Sequence, residues 1–299
     1  MRKQNLYCLF LFFLVCTPWM LFAKSEHYRY QVAAVMVFQH EAEYLKEWIE
    51  YHKLIGIEHF YLFENANTDN YMEVLKPYID SGVVELFHEP AICTNQTDYL
   101  RVQYACYKKA VGLALMKAKW LAILDSDEFI VPLRKKKLIT VLNDYENYGG
   151  VYVNWVVFGT ANVEKIPKDR LLIEVLDRSA PKTSNLGKSI VRPERVKDIK
   201  DPHRIFYRYP YIHVNTNYKT FDWVCPIADD KLVIHHYNTR DIDFMMNVKL
   251  PRLRNWKPID MDKYMEYVDL INSRPNKTMR RFIPALRKRM FGEETEDVD

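Results

Sequence analysis

The chain has 299 residues, and nearly half of them are apolar, so one large α/β domain with a substantial core is expected. Glycine is scarce at 8 residues, which argues against Gly-rich phosphate-binding loops and low-complexity linkers. The formal net charge of +4 is mild, and the basic residues near the C-terminus belong to no nucleic-acid-binding motif. No nucleic acid is therefore expected as a partner.

The N-terminus reads as a targeting segment. Met1-Arg2-Lys3 is basic, and the run from Leu6 to Ala23 is almost wholly apolar and long enough to span a bilayer. Residues 1–24 are therefore expected to be a signal-anchor, with its N-terminus cytoplasmic, or a cleaved signal peptide that exports the protein. The lack of a small residue at the first position of the cleavage site Leu21-Phe22-Ala23 slightly favours the anchor.

The first half of the remaining chain predicts alternating strands and helices. In chain order these are strand 30–38, helix 43–54, strand 59–63, helix 71–79, strand 83–87, helix 99–116 and strand 120–124. This order favours a parallel sheet with right-handed crossovers, in which ligands bind outside the carboxyl ends of the strands. We expect three polar clusters to lie along that edge, namely His40-Glu41, Glu64-Asn65 and Asp125-Ser126-Asp127.

The pattern changes after Asp127. A strand is predicted at 150–158, and the segment 159–187 is long and polar enough to fold over the site. Short strand-like pieces follow to Ile234, and helices are predicted at about 241–249, 262–271 and 278–289. We expect one α/β domain at 28–255, followed by a C-terminal helical extension with an acidic tail at 256–299.

The strongest chemical signal is the pair Asp125 and Asp127, which follows a buried strand. Carboxylates one residue apart point the same way in an extended chain, so both can face a cation that prefers oxygen ligands. Such a cation would neutralise a diphosphate leaving group. The alternative is a solvated turn that carries two acids.

Two further segments carry weaker signals. His236 follows a short strand and could supply a nitrogen ligand to the same ion, although an isolated histidine is as often structural. Lys188 and Arg192 lie near another predicted strand and could meet phosphate or acceptor oxygens, or could be ordinary surface charge.

In combination these segments resemble glycosyltransferase family 92 and the related family-2-like domains. The resemblance runs from about Val32 to Asp243 and rests on the stretches 40–52, 54–57, 61–69, Gln103 with Cys106, 125–129, Phe158-Gly159, 188–193, His203 and His236-Tyr237. In one position the chain departs from the related domains, because Asn67 stands where they commonly carry Ser.

The resemblance implies a GT-A fold, which is a Rossmann-like nucleotide-diphospho-sugar transferase fold. It also implies a UDP-sugar donor with UDP-galactose as the first to try, a glycan or other hydroxyl acceptor, an Mn²⁺ (or Mg²⁺) ion and inversion at the anomeric carbon. Carried over by position, Asp127 would bind metal, Asp125 would bind the ribose or the metal, and His236 would contact the metal or the diphosphate. Glu41, Glu64 and Asn65 would bracket the nucleoside.

Inversion requires a base that takes the proton of the acceptor hydroxyl. Asp222 is the first candidate, because Trp223 beside it could stack on a sugar, and Asp229 and Asp230 compete with it.

Two other functions stay open from the sequence. A phosphatase of the haloacid-dehalogenase class also carries Asp-x-Asp after a strand, but near the chain start and with Thr or Val where this chain has Phe129. A membrane-tethered carbohydrate-binding protein on a non-catalytic transferase fold is the second alternative.

Overall fold

The computed structural model describes residues 27–201 and 203–292. The predicted N-terminal targeting segment and the acidic tail lie outside these residues. No helix within the described ranges combines the length and the apolar character that a membrane crossing requires.

The strands are, in chain order, β1 (Tyr30–Phe38), β2 (His59–Asn65), β3 (Val84–Glu89), β4 (Ala118–Ile123), β5 (Glu128–Pro132), β6 (Gly150–Val157), β7 (Arg178–Ser179), β8 (Gly187–Val191), β9 (Val196–Asp201), β10 (Arg204–Tyr207), β11 (His213–Asn215), β12 (Leu232–His236) and β13 (Arg274–Pro275). The α-helices are α1 (Ala42–Ile55), α2 (Tyr71–Asp80), α3 (Gln96–Ala114), α4 (Leu138–Leu142), α5 (Leu172–Val175), α6 (Ile242–Phe244), α7 (Leu250–Trp256), α8 (Met261–Ile271) and α9 (Ile283–Phe291). A π-helical turn, Met245–Lys249, joins α6 to α7.

The central sheet is mixed, with strand order β3-β2-β1-β4-β8-β6-β12-β5 and β11 paired to β6. Strands β1 to β4 are parallel, as the sequence predicts, and β8 is antiparallel to both β4 and β6. The carboxyl ends of β1, β2 and β4 therefore meet the start of β8 at one edge of the sheet. That edge is where the sequence predicts the ligand site.

Strand alternation in β1 explains the two-sided core. Val32, Ala34 and Met36 are fully buried on the face covered by α1 and α2, and Ala33 and Val35 are fully buried on the face covered by α3. A strand that is apolar on both faces is typical of a parallel sheet covered by helices on both sides. Polar side chains can therefore reach solvent only beyond the ends of such a strand, which is where the polar clusters lie.

Helix α1 fixes one wall of the site. It begins directly after Glu41 at the carboxyl end of β1, and it ends at Gly56, whose φ of 103° is the left-handed conformation that glycine adopts without a steric penalty. Its buried face carries Leu45, Trp48 and Ile49 at helical spacing, as predicted.

The second half of the chain differs from the prediction in two respects. Strand β5 begins at Glu128, directly after the acidic motif, and pairs antiparallel with β12. The segment 159–187 packs beside α1 and α8 rather than over the site, because the buried Glu47 carboxylate accepts hydrogen bonds from the backbone N–H groups of Leu172 and Ile173. The predicted C-terminal helices are present, and the last of them, α9, packs against α1.

Candidate active site

A cleft of about 550 Å³ opens at the carboxyl ends of β1 and β4. Most of the residues that the sequence singles out line it: Glu41, Asp125, Ser126, Asp127, Lys188 and His236. The opposite wall comes from the π-helical turn and α7, which contribute Lys249, Arg252 and Trp256. The cleft thus combines three carboxylates with three cationic side chains.

Asp125 is held by three donors. Its Oδ1 accepts hydrogen bonds from Gln103 Nε2 at 2.9 Å and from the Tyr107 hydroxyl at 3.0 Å, and its Oδ2 accepts one from Lys188 Nζ at 2.6 Å. Gln103 and Tyr107 are four residues apart on α3, so they present neighbouring side chains to the same carboxylate. A carboxylate offers about four lone-pair sites, so one acceptor position stays open on Asp125.

Lys188 enters the site from the start of β8 and is almost fully buried. Burial opposes its charge, but Asp125 and then Glu128 outweigh that effect and hold the pKa of the ammonium above its ordinary value. Glu128 is also fully buried, and its burial raises the pKa of the carboxyl well above the ordinary range. Arg192 leaves the other end of β8, where it pairs with Glu194 at 2.8 Å, so it lies outside the cleft.

Asp127 faces a different set of side chains. Its Oδ1 lies 3.4 Å from His236 Nε2, and its Oδ2 lies 3.7 Å from Lys249 Nζ. Burial works against ionisation, but His236 first and then Lys249 and Arg240 hold the pKa of Asp127 well below its ordinary value. The Asp127 backbone carbonyl also accepts a hydrogen bond from Tyr237 N at 2.8 Å, which fixes the motif against the end of β12.

Glu41 forms a buried ion pair with Arg240, whose guanidinium also donates to the Ser126 hydroxyl at 3.3 Å. The guanidinium carbon lies 3.7 Å from the ring centroid of Tyr44, a cation–π contact that orients it further. Arg240 adopts a φ of 53°, an uncommon left-handed conformation for a side chain of this size. Arg240 thus ties the start of α1 to the acidic motif.

Glu64 and Asn65 lie at the predicted edge but do not line the cleft. Glu64 is bonded to His88 and to Asn67, and the Asn65 amide donates to the carbonyls of Glu89 at 2.9 Å and Ala91 at 2.7 Å. Their polar atoms therefore hold neighbouring loops, and their proposed contact with a nucleoside stays a prediction.

The departure at Asn67 has a structural explanation. Its side-chain oxygen accepts a hydrogen bond from His40 N at 2.5 Å, and its amide donates to Phe38 O at 3.2 Å. Asp69 in the same loop accepts from Ala42 N at 2.8 Å at the start of α1. The β2–α2 loop thereby fixes the turn that carries Glu41.

Asp222 lies in a neighbouring pocket rather than in the cleft of Asp127, and Trp223 lines that pocket with it. Asp229 accepts a hydrogen bond from Thr183 at 2.6 Å, and neither it nor Asp230 lines the cleft. The role of Asp222 as a base stays a prediction.

The donor set for a divalent cation is smaller than the sequence predicts. Across the two described ranges, no three His, Cys, Asp or Glu side chains converge on one point. Asp127 and His236 do face each other, Asp127 is held ionised, and His236 Nδ1 has no hydrogen-bond partner in the described part of the chain. Asp127 and His236 fit a cation that takes its remaining ligands from a phosphate, whereas Asp125 is turned toward Lys188.

Several cleft residues escape reasoning from local sequence. Lys249 lies at the end of a predicted helix, and Arg252 follows that helix without belonging to a motif. Trp155 lies within β6, where its ring centroid is 4.4 Å from that of His236. The sequence contains only weak indications of these cleft residues. Gln103 and His203 belong to the family resemblance, and Lys249 and Arg252 are three residues apart, a spacing that places two basic side chains on one helical face.

Residues 32–251 match the family described as glycosyltransferase family 92. The chain belongs to glycosyltransferase family 92. Family membership and the observed sheet confirm the predicted GT-A class with its helical extension. Both also leave the haloacid-dehalogenase alternative without support.

Curated relatives agree with the family at low identity. A family 92 protein of Oryza sativa subsp. japonica is 27% identical over 225 residues, which are 71% of this chain and 34% of that protein. Galactan beta-1,4-galactosyltransferase GALS2 of Arabidopsis thaliana is 29% identical over 107 residues, which are 35% of this chain and 20% of that protein. The chain spans about a third of the length of the first curated relatives that it matches.

Among solved structures, S. aureus TarS in complex with UDP-GlcNAc aligns with a TM-score of 0.43 and 9% identity, covering 88% of this chain and 73% of that chain. This likeness is too distant to carry information on the function of the family 92 chain.

Proposed function

We propose that this chain transfers a hexosyl group from a nucleoside diphosphate sugar to a hydroxyl of a glycan. The observation that carries the proposal is the cleft itself: at the carboxyl ends of the parallel strands, Asp125-Ser126-Asp127 lies opposite Lys188, Lys249 and Arg252. A diphosphate brings negative charge that these cations can bind. The ribose and the sugar bring hydroxyl groups that can donate hydrogen bonds to the carboxylates.

The donor sugar is proposed to be galactose, carried by UDP. Support comes from family membership and from the relative named as a galactan beta-1,4-galactosyltransferase. In this assignment Asp125, locked by Gln103, Tyr107 and Lys188, uses its open acceptor position for a donor hydroxyl. The fixed orientation lowers the entropy lost when the donor binds.

We further propose that a divalent cation, Mn²⁺ before Mg²⁺, is held by Asp127 and His236. When bound, such an ion would neutralise charge on the diphosphate. Lys249 contributes positive charge on the same side of Asp127, and Arg252 extends it along α7. The protein's own cations would therefore stabilise the leaving diphosphate together with the ion. Because these side chains are already in position before the reaction begins, their electrostatic effect is preorganised.

Attachment to a membrane through residues 1–24 remains part of the proposal, as does inversion at the anomeric carbon. Inversion would place the acceptor hydroxyl on the face of the sugar opposite the diphosphate, so the base must approach the sugar from that opposite face.

The proposal is tested by a screen of UDP-galactose, UDP-glucose, UDP-GlcNAc and GDP-mannose, each with and without Mn²⁺. Thermal shift reports binding, and nucleotide release reports turnover. We expect a UDP-sugar to raise the melting temperature most in the presence of Mn²⁺ and to release UDP. If none of the donors binds or turns over, the chain is not a transferase of this kind, and the carbohydrate-binding alternative gains support.

A further inference from the structure

A second pocket, also of about 550 Å³, opens beside the donor cleft. Its floor is formed by Tyr152 of β6 and Ser189 of β8, and its walls come from β10 and the loops that carry Tyr211 and Trp223. Ser189 directly follows Lys188 in β8, and strand alternation turns successive side chains to opposite faces. The pocket therefore lies across the same strand that supplies a cation to the cleft.

His203 lines both the cleft and the second pocket. The ring is packed edge-on against Trp155, with 5.1 Å between ring centroids, and its Nδ1 lies 2.7 Å from the carbonyl oxygen of Gly187. Because a carbonyl oxygen only accepts hydrogen bonds, Nδ1 must carry a proton. In the neutral ring the lone pair is then on Nε2, for which no partner is observed among the described residues.

The walls of the second pocket combine aromatic rings with polar groups. Trp223 is 77% exposed, and the guanidinium carbon of Arg204 lies 3.8 Å from its ring centroid. Phe206 and Tyr211 are also partly exposed, and Asp222 lies between Phe221 and Trp223 in the wall. The chain thus leaves uncovered a large aromatic surface whose burial would be favourable.

This combination fits a saccharide. A sugar ring offers apolar C–H faces for aromatic side chains and hydroxyl groups at its edge for carboxylate and guanidinium groups. The volume lies within the range of pockets that bind small ligands. A peptide or a lipid chain would explain the aromatic surface less well, because Arg204 and Asp222 place both charges inside the same pocket.

We propose that the second pocket binds a saccharide acceptor and presents one of its hydroxyl groups to Nε2 of His203. The inference rests on the proposed function, since it requires a donor in the adjacent cleft. The observation that joins the acceptor to the donor is that His203 lines both pockets.

The proposed chemical step is a displacement at the anomeric carbon by the acceptor oxygen. The acceptor O–H bond breaks and its proton goes to Nε2 of His203. The acceptor oxygen forms a bond to the anomeric carbon, and the bond from that carbon to the diphosphate oxygen breaks, with its electron pair leaving on the diphosphate. Burial, followed by the nearby Lys188, lowers the pKa of His203, so the ring is neutral and ready to accept a proton near pH 7. Asp222 then serves as a binding group for acceptor hydroxyls.

The test uses the full chain with UDP-galactose, Mn²⁺ and a labelled β-1,4-linked galacto-oligosaccharide as the acceptor probe. Trp223→Ala is compared with Trp223→Phe, which keeps an aromatic ring, and with Ile227→Ala, which changes an exposed residue of the same loop outside the pocket. We expect Trp223→Ala to raise the acceptor KM about tenfold, while Trp223→Phe retains most of the affinity and Ile227→Ala has no effect. The Kd for UDP should be unchanged in all three variants.

A comparison of His203→Gln with Asp222→Asn distinguishes the residue that accepts the proton from the residue that binds acceptor hydroxyls. We expect His203→Gln to lower kcat about 100-fold or more with unchanged UDP affinity, and Asp222→Asn to act mainly on the acceptor KM. An unaltered acceptor KM in Trp223→Ala, or a larger loss of kcat in Asp222→Asn than in His203→Gln, would overturn the inference while leaving the proposed function intact. A wild-type chain that binds no UDP and transfers to no probe would instead overturn the proposed function itself.

Discussion

At the scale of single residues, the site depends on buried charges that neutralise each other. Lys188 Nζ lies 2.6 Å from Asp125 and 3.8 Å from Glu128, and the side chains of Lys188 and Glu128 are almost completely buried. Removing one member of such a group leaves the others buried without a counter-charge. The stability of the domain and the binding of donor are therefore linked through one lysine.

We expect Lys188→Met to lower the free energy of unfolding by about 3 kcal/mol and to raise the donor KM. Urea unfolding followed by circular dichroism measures the first effect. The control is Lys76→Gln, which breaks the exposed Lys76–Asp80 pair and should change stability by less than about 1 kcal/mol. The double variant Lys188→Met/Asp125→Asn removes both members of the closer pair and should recover part of the loss. Equal losses for Lys188→Met and Lys76→Gln would contradict this expectation.

Glu47 makes the stability of the domain fall as the pH rises. Burial raises the pKa of its carboxyl to about 7, against an ordinary value of 4.5, although two backbone N–H groups oppose the rise. Between these pH values the unfolded chain loses the proton first, so the stability contributed by this group is full below about pH 4.5 and is lost as the pH rises through about 7.

The stability of the wild type relative to Glu47→Gln should therefore fall by about 3 kcal/mol between pH 4 and pH 8. Urea unfolding of both proteins across this pH range measures the difference between their free energies of unfolding. The contributions of titrating groups that both proteins share cancel in that difference. A difference that stays constant with pH, or that grows as the pH rises, would show that Glu47 titrates at an ordinary value.

At the scale of elements, the first half of the fold follows from the sequence because each strand and helix carries its own periodic pattern. β1 spans the predicted residues, and β2, β3 and β4 differ from the prediction by one or two residues at their ends. Strand β5 was missed because Glu128-Phe129 reads as part of the acidic motif, and its partner β12 lies about a hundred residues later in the chain.

The site could be predicted only in part, for the same reason. Asp125 and Asp127 are visible because they follow a strand. Lys188 and Arg240 come to the motif through the mixed half of the sheet, and no local pattern reports such pairings. The β2–α2 loop shows the same limit, because Asn67 and Asp69 act on backbone groups 27 residues away.

Helix α7 supplies a prediction of its own. Arg252 lines the cleft, whereas Arg254 on the same helix is turned away and contacts Met261. We expect Arg252→Gln to raise the donor KM about tenfold, since a hydrogen bond to a charged group contributes about 1.5–3 kcal/mol. Arg254→Gln should leave the donor KM within about twofold, and steady-state kinetics with varied UDP-galactose measure both. Equal effects of the two substitutions would place Arg252 outside the donor site.

At the scale of the whole molecule, the helical extension belongs to the same core as the α/β domain. Leu286 of α9 is fully buried in the cluster on the α1 side of the sheet, and the Tyr51 ring of α1 lies 5.4 Å from the Phe282 ring. Arg289 of α9 also pairs with Glu50 of α1 at 3.1 Å. The boundary predicted at residue 256 is thus crossed by packing, and we expect the two parts to unfold together.

We expect Leu286→Ala to lower the free energy of unfolding by about 2–4 kcal/mol, because it removes apolar volume from a packed core. The change should shift one cooperative transition, and the donor KM should stay the same because α9 lies away from the cleft. Urea unfolding, monitored at once by tryptophan fluorescence and circular dichroism, tests this. An unchanged main transition would mean that α9 is a separate unit.

The proposed cation site, in which Asp127 and His236 hold an ion against the donor diphosphate, is tested by a titration of Mn²⁺ against transfer rate. With UDP-galactose as donor, Asp127→Asn should lower kcat about 100-fold or more, as expected when a strong electrostatic contact to the transition state is lost. The variant should remain folded, because the side chain sits at a strand end, although its melting temperature should fall because His236 and Lys249 lose their partner carboxylate. His236→Ala should shift the Mn²⁺ dependence to higher concentrations while metal-free UDP binding changes little. A fully active Asp127→Asn protein with an unchanged Mn²⁺ requirement would contradict the account.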